Sequence, residues 1–229
     1  MNNIEADFQE VISSWVKDVD THCAVHLKND RFLIPLIAGT VQGVTTSIKE
    51  QTKKTLAAGI KPEVIVEVIY QLAPGTGILR VQKSLIEVQK AFDEENIELK
   101  KITIDEDPEF GAKVQAKIYG TEIKNLLHDL PDQSGNFIPE ALTEHFFNDF
   151  YGREALSVKD RERYGLLGLI ALNVDFQIKA HARGSLKAGN SESELIWSVI
   201  QLLPYVGFPF VVNSAQVIHK SAVELGETK

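Results

Sequence analysis

The feature that most constrains the fold of this 229-residue chain is an internal repeat. When residues 30–90 are laid over residues 160–220 without a gap, 16 of the 61 positions are identical, against about 4 expected from ordinary composition. The longest matching segments are TSIKEQTKKTLAAG, from Thr46 to Gly59, and FQIKAHARGSLKAG, from Phe176 to Gly189. We therefore expect the two copies to fold alike.

Both copies carry the boundary signals of helices. Ser157 is a candidate N-cap, and Gly189 stands where a left-handed residue would end the following helix. Ser191 and Glu194 form a capping-box pattern at the start of a third helix, and Pro62 falls in the matching first turn of copy one. Because little of the chain alternates with period two, we predict an all-α protein.

The segment between the copies, DEENIELKKITIDEDPEFG, is charged and weakly patterned, which is typical of a linker. We predict two tandem helical units. The first is residues 1–95, the linker is residues 96–110, and the second is residues 111–229.

Composition excludes several classes of function. The chain has 24 Lys+Arg against 32 Asp+Glu, a formal charge of −8, which opposes binding to a phosphate backbone. It has no long apolar run, and its first residues, MNNIEADFQE, are acidic. We therefore predict a cytoplasmic protein that binds neither nucleic acid nor membrane.

The single cysteine, Cys23, excludes a CxxC redox pair and an intramolecular disulfide. It lies in HCAVH between His22 and His26, but no further cluster of ligands accompanies these residues, and zinc usually takes three or four protein ligands. We predict neither a metal nor an organic cofactor.

The two copies differ at two positions that bear on chemistry. His181 and Glu162 in copy two correspond to Gln51 and Phe32 in copy one. An imidazole exchanges protons near neutral pH and an amide does not. Glu162 and His181 would form an acid/base pair if their helices pack antiparallel, although a core histidine and a glutamate at a helix N-terminus are the structural alternatives.

The run LSVKDRERYGLLGLIAL, then FQIKAHARGSLKAG, then ELIWSVIQLLPYVGFPFVVNSAQVI resembles the carboxymuconolactone decarboxylase family, which includes the alkylhydroperoxidase D-like proteins. The resemblance covers about residues 107–220, and copy one resembles it only in degenerate form. The family's hydroperoxidase branch has a glutamate followed by Cys-x-x-Cys-x-x-x-His. The glutamate and histidine fall on Glu162 and His181, but the cysteines fall on Val174 and Gln177.

This resemblance implies a cofactor-independent carboxy-lyase acting on a small carboxylated lactone or carbonyl compound. It assigns proton transfer to His181 and its orientation to Glu162, and it suggests substrate contacts from Arg183, Gln177 and Tyr205. On an ideal helix Arg183 points away from His181, so a solvated Arg183 is the alternative. The other functional hypotheses are a peroxidase-like antioxidant protein, disfavoured by the missing CxxC, and a non-catalytic binding or assembly protein.

The resemblance also bears on assembly. The resemblance implies that family members with one copy assemble as rings of six small helical subunits. A tandem chain would then form a pseudo-sixfold ring from three chains, so we predict a homotrimer.

Overall fold

The computed structural model describes residues 4–226, and within this range the protein is helical without any β-strand. One isolated antiparallel bridge joins Ile104 to Arg153. The prediction of an all-α fold is confirmed. None of the helices within this range combines the length and the apolar character that crossing a bilayer requires.

The structure consists of helices joined by short connections, apart from the segment between the two copies. Their bounds are α1 Ile4–Leu27, a 3₁₀ helix Lys28–Leu33, α2 Ile34–Gln42, α3 Ile48–Ala57, α4 Pro62–Tyr70, α5 Ala73–Thr76, α6 Ile78–Glu94, α7 Phe110–Tyr119, α8 Glu122–Leu127, α9 Ser134–Ala141, a π-helix Leu142–Tyr151, α10 Val158–Leu172, α11 Asp175–Lys187, α12 Glu192–Gln201, α13 Leu203–Val206 and α14 Phe208–Leu225. Residues 96–109, most of the predicted linker, contain no helix.

Helices recur in the two copies at the offset of the sequence repeat. The 3₁₀ helix together with α2 corresponds to α10, and α3, α4, α5 and α6 correspond to α11, α12, α13 and α14. Gly77 and Gly207, the equivalent residues before α6 and α14, both have a positive φ. This regularity supports the prediction of tandem units, while the domain boundaries stay predictions.

The predicted helix caps of copy two are present. The Ser157 side chain accepts a hydrogen bond from the backbone N–H of Asp160, and Ser191 accepts one from Glu194, each at 3.1 Å. Gly189 has φ of 99° after α11. Each cap satisfies a group that the end of a helix would otherwise leave unpaired. The last helix begins at Phe208, because Pro209 fits its first turn.

The two copies share one hydrophobic core, in which α2 packs against α10. Their close approach depends on Gly168, where an added Cβ would lie 2.9 Å from Leu72. A buried ion pair also joins the copies, since Arg161 of α10 contacts Glu67 of α4 at 3.0 Å and both side chains are fully buried. Helix α10 is therefore joined to copy one by a close approach at Gly168 and by a buried ion pair at Arg161.

Candidate functional site

A cavity of about 650 Å³ lies between α7, α8, the π-helix and α11. This volume is within the range of small-molecule sites. Its wall is mostly apolar, and the polar and ionisable side chains in it are few. The lining residues are Pro74, Gln115, Tyr119, Glu122, Ile123, Leu126, Ile138, Ala141, Leu142, His145, Phe146, Phe147, Phe176, Gln177, Ala180 and His181.

Glu162 lies behind this cavity and binds two tyrosines. The Tyr119 hydroxyl donates to Glu162 Oε2 at 2.5 Å, and the Tyr151 hydroxyl donates to Oε1 at 2.7 Å. The Glu162 side chain is fully buried. Both of its oxygens are therefore satisfied, as a buried carboxyl requires.

Tyr119 also contacts His181. Its hydroxyl oxygen lies 2.9 Å from His181 Nδ1, whereas Glu162 Oε2 lies 3.5 Å from the same nitrogen. The longer distance exceeds that of a hydrogen bond, so Tyr119 bridges the two residues. The structure brings the predicted pair together, but through a tyrosine.

The bridge assigns the tautomer of His181. Because the single hydroxyl proton of Tyr119 goes to Glu162, the Tyr119 oxygen accepts from Nδ1–H of His181. The other ring nitrogen, Nε2, has no protein partner within the described part of the chain. His181 retains 18% side-chain exposure and lines the cavity. Nε2 is therefore left for a ligand.

Both tyrosines remain proton donors across the physiological pH range. Burial, and next the negative charge of Glu162, raise the pKa of Tyr119 and of Tyr151 well above the ordinary tyrosine value of 10.0. A phenol that does not ionise keeps its hydrogen bond to the carboxyl group.

A glycine makes room for this network. A Cβ built on Gly184 of α11 would lie 2.5 Å from the Tyr119 hydroxyl and 2.9 Å from Glu162 Oε2. Gly184 lies one helical turn from His181, and Lys54 occupies the equivalent position of copy one. The absence of a side chain here allows α7, α10 and α11 to meet at three polar groups.

The other residues predicted for the site lie in three different surroundings. Gln177 lines the cavity on the same helix as His181. Arg183 is about one third exposed and pairs with Glu122 at 3.0 Å, and Glu122 is a cavity residue although Arg183 is not. Tyr205 lies in α13, packs against the hydrophobic core and does not line the cavity.

Copy one has a structural hydrogen bond in the place of this site. The Gln51 amide donates to the backbone carbonyl of Phe32 at 3.0 Å, and the Thr55 hydroxyl donates to the same carbonyl. Phe32 and Gln51 are the counterparts of Glu162 and His181. Two side chains therefore fix the first copy at the position where the second has an ionisable pair.

Sequence reasoning missed three residues of the site, Tyr119, Tyr151 and His145. None of them falls in the part of the repeat that aligns, so no comparison between the copies pointed to these residues. His145 binds Asp149 at 3.0 Å and lines the cavity. The aromatic run around Phe146 and Phe147 was the available signal of a lined pocket.

The HCAVH segment is not a metal site in this structure. Cys23 is buried, His26 stacks on Trp197 with ring centroids 4.1 Å apart, and His22 bonds within its own helix. Across residues 4–226 there is no group of three His, Cys, Asp or Glu side chains arranged to hold a metal ion. Burial also raises the pKa of the Cys23 thiol to about 12.

A family model matches one part of the chain, which includes several of the residues that line the cavity. Curated proteins give no significant match to this chain. The sequence model of the carboxymuconolactone decarboxylase family matches residues 138–220, which include the π-helix, Glu162 and His181. Over these residues the chain is similar to the carboxymuconolactone decarboxylase family.

Proposed function

We propose that the protein is a cofactor-independent carboxy-lyase in which His181 transfers a proton to a small carbonyl compound. The observation that carries this proposal is the hydrogen-bonded series Glu162, Tyr119, His181, which ends at a free Nε2 in a cavity. An oriented imidazole with one nitrogen anchored and the other facing a ligand is the arrangement of a general acid/base.

The chemistry follows from the groups present. When the bond between the substrate and its carboxylate breaks, CO₂ leaves, and the electron pair moves through the unsaturated system into the carbonyl as an enolate. The protonated form of His181 then donates its Nε2 proton to the substrate carbon, and solvent restores that proton. The apolar wall excludes water from the carboxylate that is lost, which favours a neutral product over a charged reactant.

The walls of the cavity define the size and polarity of the substrate. Phe146, Phe147 and Phe176 present aromatic surface beside His181. Such surfaces suit a flat ring more than a flexible polar chain. We propose an unsaturated lactone or a related cyclic carbonyl compound as the substrate.

The structure gives no support to thiol chemistry at this site. Val174 and Gln177 stand where the hydroperoxidase branch would have its cysteines, and Cys23 lies elsewhere with its thiol buried. A purely structural role for the second copy predicts a His181 pocket filled by side chains, and the cavity of about 650 Å³ does not match that prediction.

The assembly proposed from the tandem repeat is a homotrimer. Ile78 and Phe208, the equivalent first residues of α6 and α14, are 64% and 59% exposed in the single chain. Large apolar side chains exposed at equivalent places suit a ring in which both copies meet neighbours alike. The cytoplasmic location stays a prediction.

Two assays run side by side test the function. The protein is incubated with carboxymuconolactone, the compound in the family name, and release of CO₂ is followed. A second sample receives a hydroperoxide and a dithiol reductant. We expect CO₂ release and no hydroperoxide consumption, and the reverse result would replace the lyase with a peroxidase.

A further inference from the structure

The cavity has a second imidazole at its exposed edge. His145 lines the cavity together with His181, but its side chain is 70% exposed where that of His181 is 18% exposed. His145 belongs to the π-helix and His181 to α11. The cavity therefore has one imidazole near its interior end and another at its mouth.

His145 is oriented in the same manner as His181. Its Nδ1 lies 3.0 Å from Asp149 Oδ2, four residues along the π-helix. Its Nε2 has no hydrogen-bond partner within residues 4–226. A carboxylate that holds one nitrogen of an imidazole leaves the other to meet a ligand, as in catalytic and metal-binding histidines.

No other side chain at the mouth is available to balance a negative charge on a ligand. Among the described residues that line the cavity none is Lys or Arg. The nearby Arg183 is already paired with Glu122 at 3.0 Å. Only the two histidines can supply positive charge to the ligand, and the proposed function already assigns Nε2 of His181 to proton transfer.

We propose that His145, held by Asp149, is a specificity-determining residue that binds a carboxylate of the substrate through Nε2–H. This inference rests on the proposed function, because it assumes a carboxylated ligand in this cavity. A cation beside the departing carboxylate would stabilise the reactant and slow the loss of CO₂. The carboxylate that His145 binds is therefore not the one lost as CO₂. It is a second carboxylate of the substrate, which remains in the product.

The test uses two flat probes of similar shape, benzoate and benzamide, with binding measured by calorimetry. It is run at about pH 6, below the usual histidine pKa of about 6.5. We expect the wild-type protein to bind benzoate about tenfold more tightly than benzamide, the size of one charge-assisted hydrogen bond. His145→Gln should lose this preference and bind benzamide as before.

The matched control is His219→Gln. His219 is also an exposed histidine paired with a carboxylate, Glu192, at 2.7 Å, and it lies outside the cavity lining. This variant should keep the preference for benzoate. Circular dichroism should show both variants folded, because each substitution is at an exposed position.

The result that overturns the proposal is benzoate binding no tighter than benzamide, including no binding of either. A preference that survives in His145→Gln but disappears in His181→Gln also overturns it, since the carboxylate would then belong to His181. Because binding is measured without turnover, this inference can fail while the lyase activity holds, or hold while the lyase activity fails.

Discussion

Tyr119 connects the two ionisable groups of the site, Glu162 and His181, because its hydroxyl is hydrogen-bonded to both. Tyr119→Phe removes the hydroxyl that bonds both Glu162 and His181 and keeps the aromatic ring packed on Phe147. We expect kcat for carboxymuconolactone to fall about tenfold to hundredfold with little change in KM, because His181 loses its orientation and not its proton.

The control for this variant is Tyr70→Phe. Tyr70 lies beneath the guanidinium of Arg153 and outside the cavity lining. The kcat of the Tyr70→Phe protein should equal that of the wild-type protein. An equal loss of activity in the two variants would mean that Tyr119 matters only for packing.

Gly184 provides a second test of the hydrogen bonds around Tyr119. A methyl group there would overlap the Tyr119 hydroxyl, so Gly184→Ala should separate Tyr119 from Glu162 and lower kcat at least tenfold. The matched control is Gly165→Ala in α10, where an added Cβ meets nothing within 4 Å. That variant should keep full activity and gain up to about 1 kcal/mol in helix propensity. Full activity in Gly184→Ala would contradict the geometry of the site.

The sequence predicted part of this site because the repeat supplied a comparison. Glu162 and His181 were both identified as site residues because copy one has a non-ionisable residue at each equivalent position, Phe32 and Gln51. Tyr119 and Tyr151 had no such signal, because the contact of each with Glu162 depends on how segments separated by many residues pack. Tyr119 is 43 residues from Glu162, and periodicity along one helix carries no information about that distance.

Among the helices, α10 depends most on a contact that the pattern of apolar residues did not reveal. Its Arg161 is fully buried and pairs with Glu67 of α4, which also binds Arg153. Glu67→Gln would leave a buried guanidinium without its counter-ion. We expect the free energy of unfolding to fall by about 3–5 kcal/mol, measured by urea titration.

The comparison for Glu67→Gln is an exposed ion pair. Lys113 and Asp107 bond at 2.7 Å with both side chains in contact with water. Lys113→Ala should leave the urea midpoint almost unchanged, because solvent screens such a pair. Equal effects of the two substitutions would show that the Glu67 contact is worth no more than a surface pair.

The helices themselves were predicted well where local chemistry determines them. Ser157 and Ser191 cap α10 and α12 as their sequence patterns indicated. The wider turn of the π-helix from Leu142 to Tyr151 was not predicted, because it has no residue signature of its own. This element brings His145 and Phe146 to the cavity wall and Tyr151 to Glu162, so the part of the fold that sequence described least closely is the part that shapes the site.

The whole molecule is expected to assemble from three chains. Light scattering after size-exclusion chromatography should give about three times the chain mass of 25.5 kDa. Replacing the exposed Phe208 with Glu should shift the protein toward smaller species, because a charge would then meet an apolar partner surface. A wild-type protein that runs as a monomer at all concentrations would contradict the ring.

In the proposed function the second copy is the reactive half of the chain, and His181 transfers the proton. The most direct test of this proposal is kcat of His181→Gln, which introduces the residue found at the equivalent position of copy one, Gln51. We expect kcat to fall by a factor of about 10²–10⁴ with an unchanged far-ultraviolet circular dichroism spectrum. A folded His181→Gln protein that turns over carboxymuconolactone at the wild-type rate would contradict it.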